Sequence, residues 1–308
     1  MNRADAVARS DALVPETDEE PEVTQTTADI EQHLVLEAIF RRHHFDFRGY
    51  SASSMARRLE RARQEFGCAT LTELQGRILH EPELLPRLLD ILTVQVSELF
   101  RDPSYFRAIR ETVVPHLRTY PSVKIWIAGC ASGEEVYSLA ILLREEGLEG
   151  KAVIYATDIN PVALHRAEAG VYDLERVVQF TQSHRASGGK SSLSDYYTAG
   201  YGRMVFDKSL RDRVVFTSHN LANDEVFSEI HFVSCRNVLI YFDRPLQDRA
   251  LGLFRDALVH GGFLGLGPRE TLRFSRWSQA FVDFAPSERI YRHRMTADAA
   301  REVAHVLA

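Results

Sequence analysis

Between residues 31 and 119 the apolar positions recur at helical intervals, and nowhere do they alternate with period two. Leu34, Leu36, Ile39 and Phe40 open one predicted helix. A second takes Ser53 or Ser54 as its cap, runs to Phe66 and stops at Gly67. Thr72 and Gln75 have the spacing of a capping box ahead of Ile78 and Leu79. Leucines at helical spacing predict a further helix over 83–96, and Asp102-Pro103 reads as cap plus first-turn proline for one reaching Leu117. The pattern predicts a small all-helical domain over 31–119.

From Val123 onward the texture changes. Short β-branched or aromatic runs at 124–128, 152–157, 214–218, 231–234 and 262–267 are separated by helical stretches at 135–146, 161–169 and 245–258. Such alternation predicts a mostly parallel sheet covered on both faces, over 120–296. Residues 281–284 and 289–294 predict a closing antiparallel hairpin, followed by a tail at 297–308 that is a short helix or frayed. The stretch 173–211 breaks the alternation. It is polar, carries Gly188-Gly189 and Ser191-Ser192, and reads as an inserted subdomain of a few short antiparallel strands.

Charge refines this picture. Of the 308 residues 45% are apolar, enough for a large core, yet no window approaches about 18 consecutive apolar residues. No membrane insertion is expected. The formal charge of −6 is all accounted for by residues 1–30, where eight acids face Arg3 and Arg9; this stretch reads as a disordered tail. By contrast, residues 41–63 hold seven arginines against Asp46 and Glu60. A local basic patch of that kind suits an acidic partner. Cys68, Cys130 and Cys235 are too widely spaced for a disulfide framework or a zinc site, which suits a reducing cytoplasm; no metal is expected.

The candidate chemistry sits at the ends of the strand-like runs. The first leads into Gly129-Cys130-Ala131-Ser132-Gly133-Glu134-Glu135, a strand, a tight turn of small residues and a helix start. Two acids at that start would repel a pyrophosphate and accept an amino group or a sulfonium, which favours S-adenosylmethionine over a dinucleotide. The second run ends at Asp158, 25 residues after Gly133. An acid there can accept both ribose hydroxyls of an adenosine; the alternative is that it caps the helix beginning at Pro161. After the third run, Asn220 can bond an adenine edge with Leu221 against its face, or simply serve as a turn residue.

Taken with Val96-Ser97-Glu98-Leu99-Phe100-Arg101-Asp102 and Cys235-Arg236-Asn237-Val238-Leu239-Ile240-Tyr241-Phe242, these blocks resemble the CheR family of chemotaxis-receptor methyltransferases over roughly residues 30–294. The resemblance implies a helical N-terminal domain on an α/β class I methyltransferase domain, Rossmann-like with seven strands. It also implies a small antiparallel β-subdomain at 173–211. The cofactor would be S-adenosylmethionine, leaving as S-adenosylhomocysteine. By residue, Gln95, Ser97 and Arg101 would approach it from the inter-domain segment and Gly129 from the turn. Glu135 would take the amino group, Asp158 the ribose, and Asn220 and Leu221 the adenine, with Cys235 and Arg236 lining a strand end. Arg101 and Tyr241 would surround the transferring methyl. Arg57, Arg58 and Arg61 would form a face docking an acidic receptor helix. The family often has Asn and Thr where this chain has Gln95 and Ser97, Pro where it has Val136, and Gly-His-Ser-Glu where it has Gly267-Pro268-Arg269-Glu270.

Three functions compete on these residues. The first is methylation of glutamate carboxylates on a methyl-accepting chemotaxis receptor or a receptor-like signalling protein, by a cytoplasmic monomer acting on the receptor's helical bundle. The second is a cofactor-binding module without turnover, against which Arg101 and Tyr241 argue. The third is a small-molecule or nucleic-acid methyltransferase. Nucleic acid would demand basic charge across the catalytic domain, whereas here it gathers in the helical one, so no nucleic-acid partner is expected.

Overall fold

The computed structural model describes residues 25–294. The chain begins with α1 (Thr27–His43), α2 (Ala52–Glu65), α3 (Leu71–His80) and α4 (Leu85–Leu92). Their apolar faces close on one another, with Ile39, Phe47, Met55, Leu59, Leu74, Leu88 and Leu92 almost fully buried in one cluster. A reciprocal capping box between Thr26 and Asp29 starts α1, so order begins before residue 30, where the tail was expected to end; residues 1–24 of that tail lie outside the described residues. The cap of α3 is Thr70, which accepts from the Glu73 N–H, and not Thr72. The Thr72 hydroxyl instead donates to Glu31 on α1. Ser51, rather than Ser53 or Ser54, precedes α2. Helix α4 stops at Leu92, short of the expected Val96, because Thr93 turns to extended backbone with its hydroxyl tied back to the Leu89 carbonyl.

An irregular segment then leads into α5 (Pro103–Ala108), a π-helical turn (Ile109–Val113) and α6 (Val114–Leu117). The sheet domain follows as β1 (Val123–Ala128), α7 (Glu134–Glu145), β2 (Ala152–Asp158) and α8 (Pro161–Ala169). After the excursion come β6 (Val214–Ser218), β7 (Ile230–Cys235), α10 (Arg244–Ala257), β8 (Leu258–Leu266), β9 (Phe281–Ala285) and β10 (Ile290–His293). The excursion holds β3 (Val171–Asp173), α9 (Val177–Ala186), β4 (Tyr197–Gly200) and β5 (Arg203–Phe206).

The main sheet runs β6-β2-β1-β7-β8-β10-β9, with the first five strands parallel and β10 antiparallel to both neighbours. Along β1 the side chains alternate between two cores: Ile125 and Ile127 pack on the α7 side, Trp126 and Ala128 on the α10 side. From β1 the chain winds outward to β2 and β6, then returns to build β7 and β8 on the other flank. The order therefore reverses between β1 and β7, where parallel sheets bind ligands at their strand C-termini. The excursion contains the expected antiparallel strands, in the order β3-β5-β4, but also α9, which buries Phe180 and His184 one turn apart. Residues 295–308, including the tail expected at 297–308, lie outside the described residues.

The helical domain meets the sheet domain beside this reversal. Gly49 and Ser51 exchange backbone hydrogen bonds with Asp243 and Tyr241, each 2.8 Å long. A Cβ at Gly49 would approach Leu246 to 3.0 Å, so glycine permits the close seat.

Candidate active site

A cleft of about 920 Å³, its open mouth included, lies at the reversal point. That is the scale of a nucleoside-sized pocket. Its floor is the turn after β1. Gly129 takes φ 77°, and a Cβ there would come within 2.5 Å of the Val238 side chain. Gly133 takes φ 92°, and its Cβ would meet Ala167 at 2.6 Å. Only glycine allows this turn to lie flat between α8 and the loop after β7. Four non-glycine residues with positive φ, namely Phe100, Asp102, Ala131 and Asn237, also line or flank the cleft. Such backbone costs energy and is held by its surroundings.

Asp158 is buried at the end of β2, where its two oxygens accept the Ala131 and Asn160 N–H groups, each at 2.9 Å. Burial pushes its carboxyl pKa up, and these N–H groups pull it part of the way back. The cap of α8 is Asn160, whose side-chain oxygen accepts from Val162 and Ala163. Asp158 therefore is not needed as a cap and lines the cleft.

The two acids at the start of α7 part company. Glu135 lines the cleft, accepting Ser234 Oγ at 2.6 Å and Arg236 Nη1 at 3.2 Å. Glu134 is 1% exposed and turned away, paired at 2.7 Å with Arg176 of the inserted subdomain. The electrostatic contrast drawn from both acids thus rests on Glu135 alone. Arg236 is buried between Glu135 and Asp102 and stacks 4.1 Å over the Tyr105 ring. Burial opposes its charge, but Glu135, Tyr105 and Asp102 outweigh that and hold its pKa above the ordinary arginine value.

Gln95, Ser97, Arg101, Gly129, Asn220 and Leu221 also line the cleft, as does Tyr241. Arg101 sits between two residues of positive φ, at 52° and 56°; the buried Phe100 next to it is pinned by a 2.8 Å bond from its N–H to Ser138 Oγ. Among the described residues the Arg101 guanidinium forms no side-chain hydrogen bond or ion pair, Asp102 being taken by Arg236. Gln95 Oε1 and Asn220 Nδ2 are buried without a hydrogen-bond partner. A ligand that presents both a donor and an acceptor would satisfy them, and a nucleoside with an amino-acid tail does so.

Cys235 and Arg58 stand elsewhere than their sequence roles imply. Cys235 is fully buried at the end of β7 and absent from the cleft wall, because strand alternation sends it into the core when Arg236 faces the cleft. Burial pushes its thiol pKa well up. Arg57 and Arg61 are exposed on α2, but Arg58 turns inward, donates to the Leu92 carbonyl and lies 4.8 Å over the Tyr241 ring in the cleft. The docking trio is therefore split.

Sequence reasoning missed how the Tyr241 loop is held. The buried Glu270 carboxylate accepts the N–H groups of Gly267, Asn237, Val238 and Ile240 at 2.6, 3.0, 2.9 and 3.4 Å. Burial pushes its pKa up, and the four N–H groups draw it back. The only sequence signal was a glutamate three residues past a post-strand glycine. Among the described residues no group of three His, Cys, Asp or Glu side chains could hold a metal.

Two family models divide this chain where the fold does. Residues 31–93 match the all-alpha domain of CheR methyltransferases, and residues 95–284 match their SAM binding domain. The chain belongs to the CheR methyltransferase family. As a family member it is an S-adenosylmethionine-dependent methyltransferase, and the cleft geometry fits that cofactor. A Pseudomonas putida protein carrying the name methyltransferase Cher3 is 52% identical over 269 residues, spanning 87% of this chain and 98% of the relative. The chemotaxis protein methyltransferase Cher2 of the same organism is 31% identical, spanning 70% of this chain and 80% of its own length. Among solved structures, the N-methyltransferase NodS of Bradyrhizobium japonicum aligns at a TM-score of 0.36 and 13% identity, over 67% of this chain and 91% of NodS. That likeness is too remote to bear on function.

Proposed function

We propose that this CheR-family chain methylates glutamate side-chain carboxylates on a methyl-accepting chemotaxis receptor or a receptor-like signalling protein, giving glutamate methyl esters. The observation that carries the reading is Arg101, with its donors unengaged on the same cleft wall as Tyr241.

Bound S-adenosylmethionine supplies the methyl group and leaves as S-adenosylhomocysteine. Glu135 holds the amino group and Asp158 the ribose. Asn220 and Leu221 take the adenine, and Gln95, Ser97, Gly129 and Arg236 complete the wall, with Cys235 supporting it from the core. A glutamate carboxylate, with a reference pKa of about 4.3, is already an anion at neutral pH. No general base is required. His219, on the wall, meets the Glu225 carbonyl through Nε2, packs edge-on against Trp126 and leaves Nδ1 buried without a partner. The work left to the protein is orientation, worth about 7–11 kcal/mol when two reactants are well placed. Arg101 forks the carboxylate, and Tyr241, braced by Arg58 and by the Glu270-held loop, bonds an oxygen and walls off water.

Arg57 and Arg61 offer a basic face to an acidic helix of the receptor's cytoplasmic bundle, with Arg58 at the rim of the cleft. The enzyme works in the cytoplasm as a monomer; among the described residues no helix is long and apolar enough to cross a membrane. The test is incubation with radiolabelled S-adenosylmethionine and host membranes. A labelled receptor band that loses its methyl in mild alkali is the expected result. Normal cofactor affinity with no labelled protein would leave a binding module instead.

A further inference from the structure

We propose that Arg176, in the inserted subdomain, is a positioning residue for methyl transfer. It clamps the segment that carries Gln95, Ser97 and Arg101 onto the first turn of α7. The inference rests on the cofactor-facing role given above to that segment.

Residues 94–98 belong to no helix and no strand, so their carbonyls find no partner in a regular ladder. One of those carbonyls is held by a side chain of the inserted subdomain, and a second lies beside the same cluster. Arg176 Nη2 donates to the Ser97 carbonyl at 2.5 Å, and Ser132 Oγ lies 3.2 Å from the Gln95 carbonyl. The buried Glu134 ties the two together: it takes Arg176 Nη1 at 2.7 Å on one oxygen and the single Ser132 hydroxyl proton at 2.6 Å on the other.

Glu134 immediately precedes Glu135, and Ser97 lies four residues before Arg101. A single planar guanidinium therefore sets the distance between the two sides of the cleft. Arginine suits this task because its fork reaches two acceptors at once, which a lysine ammonium on a flexible stem does not hold in fixed geometry. The clamp is itself mounted on the excursion. Arg176 stacks 4.6 Å over the Phe180 ring of α9, and Tyr172 of β3 donates to the Ser132 carbonyl at 2.7 Å. The inserted subdomain is thereby joined to the turn and to the Ser97 backbone.

The test uses the full chain, with S-adenosylhomocysteine affinity by calorimetry and amide exchange by mass spectrometry, both independent of the protein substrate. Arg176→Met is expected to weaken binding at least tenfold and to speed exchange over residues 94–101 without cofactor. Exchange in the β3–β5 pairing should stay as in the wild type. Millimolar guanidinium, but not sodium chloride at equal ionic strength, should restore much of the affinity. Arg176→Lys should fall between the two.

Unchanged affinity and unchanged exchange would overturn the proposal. So would faster exchange throughout β3–β5 and α9 with no rescue by guanidinium, which would make Arg176 only a brace of the subdomain. Failure of the glutamate reading would leave these binding results standing, so the two failures are distinguishable.

Discussion

Helix α7 carries adjacent glutamates at both ends, and the two pairs live in opposite surroundings. At the C-terminal end the helix dipole opposes a negative charge. Glu145 and Glu146 nevertheless sit there with side chains only 1% and 6% exposed, because Arg110, Arg118, His184 and Lys190 converge on them. Burial would raise the Glu145 pKa, but the His184 hydrogen bond and the Arg110 charge hold it down to about 2. At the N-terminal end the dipole favours the acids. Glu134 is closed off by Arg176, while Glu135 keeps one side on the cleft. One end is a sealed brace joining α7 to the π-helical turn and to the excursion; the other is a brace with a binding face. The same dipeptide serves either purpose according to which cations the fold brings to it.

Variants at the two ends should therefore fail in different ways. Arg110→Ala leaves two buried carboxylates short of a partner, and should cost about 3–5 kcal/mol of stability. Chemical denaturation checks this, and cofactor affinity of the protein that remains folded should be near wild type. Arg101→Ala should do the reverse, lowering transfer by about 10²–10³-fold with an unchanged melting temperature. If its steady-state rate stays near wild type, the proposed role of Arg101 fails.

Asp158→Ala should weaken S-adenosylhomocysteine binding by about 10–100-fold by removing the proposed ribose acceptor, about 1.4–2.8 kcal/mol on the scale of tenfold per 1.4 kcal/mol. Calorimetry reads this directly, and unchanged affinity would place the ribose elsewhere. The smallest effect is a pH dependence. The Glu145 pKa is depressed on folding, so its contribution is fully present above the unfolded value of about 4.3 and is lost as pH falls through that value towards about 2. Melting temperature should drop across that window, and less steeply in Glu145→Gln.

The difference between the two ends also marks what the sequence could reveal. Strands β1, β2 and β7 were legible because a parallel sheet buried on both faces writes itself as short apolar runs. The cleft residues at their C-terminal ends followed from that. The split between Glu134 and Glu135 lay within reach, since consecutive helical residues point about 100° apart. The burial of Cys235 beside the cleft-facing Arg236 lay within reach too, through strand alternation. Other features were decided by tertiary contacts that no local pattern contains. Thr70 and Thr72 each have an acid or amide three residues on, and Glu31 from another helix settles which one caps. Helix α9 was masked by its polar composition and by the Gly/Ser stretch behind it, having only Phe180 and His184 to bury. The four backbone bonds to Glu270 depend on a loop folding back over the strand ends.

The most direct measurement is mass-spectrometric mapping of a methyl-accepting receptor fragment after incubation with this chain and S-adenosylmethionine. The account predicts one methyl of added mass on glutamate side chains, lost in mild alkali and formed about 10²–10³-fold more slowly when Arg101→Ala replaces the wild type. A methyl that survives alkali, or one found on another residue type, would contradict it.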